Sequence, residues 1–214
     1  MNPKPWTEAI CRLFEHTAGN QAFLVGYRWL HYLSATTFVG LLLFLNLLLY
    51  PGSRRSEQGI GLVLLKKVFW LWRWSIMVAL FTGVNLLHML YNFPIGNYFD
   101  EDKGLWMAVG ASLGFSLWCL VWFWIWPAQK RHLAAWQSQG QVDQVLAPRS
   151  AGGIKIATLL LPPLIMGMTV GGHGLTLFSW GWRDLAWTFA VGCFPVLFVY
   201  AWFDRKSLKS RPFQ

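Results

Sequence analysis

Long apolar stretches separated by short polar ones set the pattern of this chain. Five stretches stand out: Phe23–Tyr50, Val68–Tyr91, Leu105–Trp126, Ile154–Leu177 and Leu185–Phe203. Each approaches or exceeds the roughly twenty residues that a helix needs to cross a hydrocarbon layer. Backbone in lipid must satisfy its own hydrogen bonds, so each stretch is predicted to be a helix. Pro51 and Pro127 fall where a helix is expected to stop, whereas Pro162, Pro163 and Pro195 fall inside stretches and are expected to kink them. The fold class that follows is all-α: a polytopic membrane helical bundle with five transmembrane helices, occupying residues 21–205. Ahead of it, Trp6, Ile10, Leu13 and Phe14 recur at helical spacing behind a possible N-cap, Thr7. Residues 1–20 therefore read as an amphipathic segment on the outer membrane surface. This opening has no apolar signal-peptide core and does not read as a cleaved leader. Residues 206–214 form a basic tail, and QSQGQVDQVLAPRSAGG is a polar connection.

Charge orients the bundle. Twelve of the eighteen Lys and Arg sit at one set of ends: Arg54, Arg55, Lys66 and Lys67; Lys130, Arg131, Arg149 and Lys155; Arg205, Lys206, Lys209 and Arg211. The other ends carry Lys4, Arg12, Lys103 and Arg183, with Arg28 just inside the first stretch and Arg73 near the basic end of the second. The positive-inside rule places the C-terminus and the 128–153 connection in the cytoplasm and the N-terminus in the periplasm. In WFWIWPAQKRH the tryptophans form the aromatic belt of a cytoplasmic helix end, and the basic residues anchor it.

Composition strengthens this picture. Only 13% of residues are charged and 55% are hydrophobic, against a charged share of about 25% in soluble domains. The net charge of +9 would suggest nucleic acid in a soluble protein. Here the positive residues flank apolar stretches, so membrane lipid is the partner and nucleic acid is not. Cys11, Cys119 and Cys193 are far apart, without CxxC or CxxCH, which excludes a thiolate zinc site and a c-type haem attachment. Cys119 and Cys193 read as small apolar side chains.

Candidate chemistry rests on histidine. His16 and His132 fall outside the stretches, but His31, His88 and His173 fall inside, and the topology puts all three in the periplasmic half. His31 lies about 12 Å in from the outer end at the helical rise. Polar groups at such depth face the bundle interior. Arg28, His31, Ser34 and Ala35 make one small and polar stripe; Thr82 and Asn85 lead toward His88, and Met166 and Thr169 toward His173. Each imidazole alone can simply hydrogen-bond a neighbouring helix. Three at one level suit a haem b held by two axial histidines, with Arg28 or Arg183 meeting the propionates. Pairing of His31 with His88, or of His31 with His173, remains open. Copper is the alternative cofactor, through His88 with Met89, or Met166 and Met168 with His173.

Other motifs carry less. Asp100, Glu101 and Asp102 form an acidic run that can dock a basic cytochrome or simply be solvated. Gly110 and Gly114 give GxxxG, a helix-packing pattern. GGHG at 171–174 follows no predicted strand and is not a phosphate loop.

Several phrases carry a resemblance. YRWLHYLSATTFVGLLLFLN, LWRWSIMVALFTG, VGASLGFSLWCLVWFWIWPAQK and LPPLIMGMTVGGH together cover most of residues 22–175. They resemble helices of the membrane domain of bacterial urate hydroxylase, the "urate oxidase N-terminal" family, with the Pro-x-Gln ending at Pro127–Gln129 the most specific match. A weaker resemblance extends to membrane protoporphyrinogen oxidases and copper-resistance membrane domains. The resemblance implies a helical membrane bundle with functional histidines at His31 and His173. This chain departs from the family at Ala108, where a histidine is usual, and it lacks the cytochrome c domain. The expected function is a haem-b-binding electron-transfer subunit of a bacterial inner membrane, exchanging electrons with a periplasmic cytochrome c or a larger respiratory complex. The alternatives are a membrane oxidase acting on a purine or porphyrin, and a cofactor-free structural subunit.

Overall fold

The computed structural model of the chain describes residues 17–49, 62–91, 102–139, 146–173 and 181–209. The segment 1–16, the Asp100–Glu101 pair and residues 210–214 lie outside the described residues. Helix α1 spans Thr17–Leu43 and continues as a π-helical stretch, Phe44–Leu49. Helix α2 spans Leu62–Tyr91. Helix α3 spans Asp102–Cys119, widens into a second π-helical stretch, Leu120–Ile125, and runs directly into α4, Trp126–Gln139. Helix α5 spans Pro148–His173, and α6 spans Trp182–Lys209. No strand occurs among the described residues.

Among the described residues, three helical segments are long and apolar enough to cross a membrane: Gln21–Leu49, Gly104–Ser138 and Pro148–Gly172. Large apolar side chains point outward from these and from α2 and α6, among them Trp29, Trp70, Phe81, Phe115, Phe123, Trp187 and Phe194. Such a surface suits lipid rather than water.

Interior positions repeat at helical spacing. Phe38, Leu42, Leu45 and Leu49 face Leu65, Phe69, Trp72 and Ile76, with Leu117, Val121 and Ile125 of α3 and Ile154, Ala157 and Leu161 of α5 closing the core. The i, i+4, i+7 rhythm is that of helices packed lengthwise. Helices α1 and α2 run antiparallel, with Phe38 stacked on Trp72 at 5.5 Å between ring centroids and 7° between planes. One buried polar pair is internally satisfied: Asn46 donates to the Thr158 hydroxyl at 2.7 Å, which donates in turn to the Ile154 carbonyl at 2.9 Å. Most other hydroxyls bond the carbonyl three or four residues back, as Ser75 does at Trp72 and Thr169 at Ile165.

The closest crossing is α3 against α5. A Cβ on Gly167 would stand 2.9 Å from the Gly110 nitrogen and 3.0 Å from the Trp106 carbonyl oxygen. One on Gly171 would stand 2.7 Å from the Met107 nitrogen. Gly110 of the α3 GxxxG thus meets Gly167 across an antiparallel interface, and Gly171 meets Met107, whereas Gly114 makes only ordinary contact with Leu164. Only glycine allows backbones this close.

Pro127 does not end the third helix, contrary to the expectation from sequence. The Trp126 N–H reaches back five residues to the Val121 carbonyl, the wide π spacing, and a new α-helical turn begins there. Pro127 lies in that first turn, where a missing N–H is tolerated. The Ile125 carbonyl accepts the Ser150 hydroxyl at 3.1 Å. The 128–153 connection is therefore mostly helix, with Ala128, Gln129 and Leu133 buried. The Gln129 side-chain carbonyl accepts the Ala147 N–H at 3.1 Å. Ala147 in turn caps α5, its own carbonyl accepting the Ala151 N–H at 2.9 Å.

Helices α5 and α6 continue through Pro162, Pro163 and Pro195. Pro163 cannot donate to the Leu159 carbonyl. The Cys193 thiol of α6 bonds that carbonyl at 3.4 Å. Beside it, a Cβ on Gly192 would come 2.7 Å from the Pro162 Cβ. Cys193 is thus more than a small apolar filler: it occupies the acceptor that a proline leaves open.

Candidate histidine site

His31 is the best-built polar position in the half of the bundle remote from the basic ends. Its Nδ1 lies 3.0 Å from the Ala79 carbonyl oxygen and 3.1 Å from the Thr82 hydroxyl oxygen, both on α2. A carbonyl only accepts, so Nδ1 carries the proton. The Thr82 hydroxyl spends its own proton on the Val78 carbonyl at 2.7 Å, leaving its oxygen free to accept from the ring as well. In the neutral ring the remaining lone pair sits on Nε2. A ring nitrogen held by a backbone carbonyl, with the other left to ligate, is the arrangement that orients metal-binding histidines.

Sequence explains the seat. Gly83 lets the imidazole close against α2, since a Cβ there would stand 3.1 Å from His31 Cε1. Thr82, read from sequence as leading with Asn85 toward His88, serves His31 instead, together with Gly83. Ser34 is buried and returns its hydroxyl to the His31 carbonyl at 3.0 Å. Arg28, one turn outward on α1, is exposed.

The other histidines stand differently. His88 lies nine residues beyond Ala79, which places it about 13 Å further toward the outer end and half a turn around the helix. It is exposed. The structure does not bring His88 to the side of α2 that holds His31. His173 is the last described residue of α5, and its side chain lies outside the description. Its depth can still be placed. His31 and His173 are each fifteen residues outward from the bonded pair Asn46 and Thr158, a rise of about 22 Å on either helix.

Among the residues proposed for copper, Met168 packs its Cγ against α3, 3.1 Å from where a Cβ on Gly110 would stand. Met166 is half-buried and Met89 exposed. Among the described residues, no group of three or more His, Cys, Asp or Glu comes together as a metal site.

A second constellation was not anticipated. The Arg73 guanidinium faces the rings of Trp126, Trp122 and Trp74, with Cζ at 4.1, 4.9 and 5.9 Å from their centroids. Arg149 covers Trp124 at 4.1 Å. The signal was present in LWRW and WFWIW, but only the fold shows that the two phrases meet. Comparison with protein-family models, with curated proteins and with solved structures finds no match for this chain.

Proposed function

We propose that the chain is a five-crossing bundle of a bacterial inner membrane, N-terminus periplasmic and C-terminus cytoplasmic, that binds haem b for electron transfer. The observation that carries this reading is the fixed His31 imidazole, with Nδ1 bonded to the Ala79 carbonyl and Nε2 left for a ligand. His173, at the same depth, would hold the group together with His31 in preference to His88. Arg28 is the cation nearest in sequence to His31 for a propionate carboxylate. Bound haem would supply one-electron redox chemistry, and the chain's part is to orient the ligand, exclude water with apolar walls and set the potential through the bonds on His31. The partner is a periplasmic cytochrome c or a larger respiratory complex. The resemblance to the urate hydroxylase membrane domain supports the same reading.

A second reading, a cofactor-free structural subunit, is favoured by the same bonds, which satisfy His31 Nδ1 within the fold. The reduced-minus-oxidised optical spectrum of the protein purified from its membrane separates the two. A Soret band with a sharp α band is expected, lost or shifted in His31→Ala. A folded wild-type protein with a featureless spectrum would establish the structural reading instead.

A further inference from the structure

Arg73 is a half-buried cation near the basic end of α2, and its surroundings supply rings but no acceptor. Its Nε is buried without a hydrogen-bond partner, and so is the Nε1 of Trp122, whose ring lies 4.9 Å from its Cζ. Among the described residues no carboxylate pairs with it. A buried donor without an acceptor is costly in an apolar setting. Cation–π contacts offset part of the charge's desolvation but accept no hydrogen bond from its edge. An anion would supply that acceptor to the guanidinium.

Its location indicates which anion. Arg73 shares one stripe of α2 with Lys66, seven residues earlier and about 10 Å nearer the basic end. The Lys66 ammonium donates to Gln137 of α4 at 2.8 Å, so this stripe faces the α3–α4 segment. Trp70, exposed, lies between the two cations. Side chains on a helix lean toward its N-terminus, here toward the basic end, and arginine reaches polar headgroups along its own stem. Trp126 stands at the last position before Pro127 and the cluster Lys130–Arg131, the level at which tryptophan belts meet headgroups.

We infer that Arg73, with the rings of Trp74, Trp122 and Trp126, forms a binding site for the phosphate of an anionic phospholipid from the cytoplasmic leaflet. The terminal N–H groups of the guanidinium donate to phosphate oxygens, and Lys66 adds positive potential from below. The site rests on the membrane reading but is independent of haem.

The test uses the full chain in nanodiscs and in detergent. Native mass spectrometry is expected to show phosphatidylglycerol retained in preference to phosphatidylcholine, and melting is expected to rise in phosphatidylglycerol nanodiscs. The preference should persist at about 0.5 M salt, which screens diffuse surface attraction. Arg73→Gln should reduce it by roughly tenfold, the scale of a lost charge-assisted hydrogen bond. Arg73→Lys, which keeps the charge, should retain part of it, and Lys67→Gln, an exposed neighbour, should change it little. Helix content by circular dichroism verifies that each variant is folded. Equal retention of both lipids, or a preference unchanged in folded Arg73→Gln, overturns the site. Stabilisation by inorganic phosphate alone in phosphatidylcholine overturns the lipid assignment.

Discussion

Gly167→Val is expected to abolish the folded bundle. The new Cβ would meet the Gly110 nitrogen at 2.9 Å, the Gly110 Cα at 3.0 Å and the Trp106 carbonyl oxygen at 3.0 Å. All three are backbone atoms, so no side chain can swing aside. The helices must separate, which removes contacts along the α3–α5 crossing and leaves voids around Trp106 and Met107. Overpacking alone costs about 1–3 kcal/mol, and in a membrane dispersion contacts supply much of the attraction between helices. Loss of the monodisperse peak in size-exclusion chromatography, or a melting point too low to measure, is the expected readout. Gly152→Ala is the control. Nothing lies within 4 Å of a Cβ there, on an exposed face of the same helix, and this variant should melt at or above the wild-type temperature. A Gly167→Val protein that melts like wild type would mean the two backbones do not approach this closely.

Gln129→Met is the second large effect. The side chain is fully buried, and methionine nearly conserves its volume, so the change isolates the polar group. The Ala147 N–H then loses its acceptor in a dry site, which costs about 1–3 kcal/mol. The damage should be local at first. Hydrogen exchange at Ser150 and Ala151, in the first turn of α5, should accelerate before the remainder of the bundle responds. Unaltered exchange there would show that the Gln129 contact does not hold the two helices together. This gives the Pro-x-Gln phrase a structural meaning independent of any resemblance: proline starts a helix and the glutamine, two residues on, ties it to the next one.

The helices were legible because charge-free stretches of this length have few alternatives. Apolar periodicity marked the stretches from Phe23, Val68, Leu105, Ile154 and Leu185, and each of these begins within a helix. Part of the closest crossing was legible too, in Gly110. Its partners, Gly167 and Gly171, stand out less, because Gly167 sits between two methionines and Gly171 belongs to a GGHG phrase. Two features left no trace in the pattern. LVWFWI reads as ordinary helix, since π and α spacing share one composition, and so Pro127 looked like a terminus. His31, Thr82 and Gly83 are about fifty residues apart, and nothing local tells a threonine which histidine it will serve. Helix periodicity relates residues along one rod; which rods touch, and at what height, is a property of the packed bundle.

The two π stretches have a consequence for how the bundle tolerates change in length. Each holds one surplus residue relative to an α ladder, which advances everything downstream by about 100° around the axis. Deleting a single residue from Leu120–Ile125 would leave an intact rod, and its lower part would dial back by that angle. Trp126, Gln129 and Leu133 would all turn away from Arg73, Ala147 and the core together. The wide turn thus sets the azimuth of the entire basic end, and one codon there outweighs most substitutions elsewhere in the same helix.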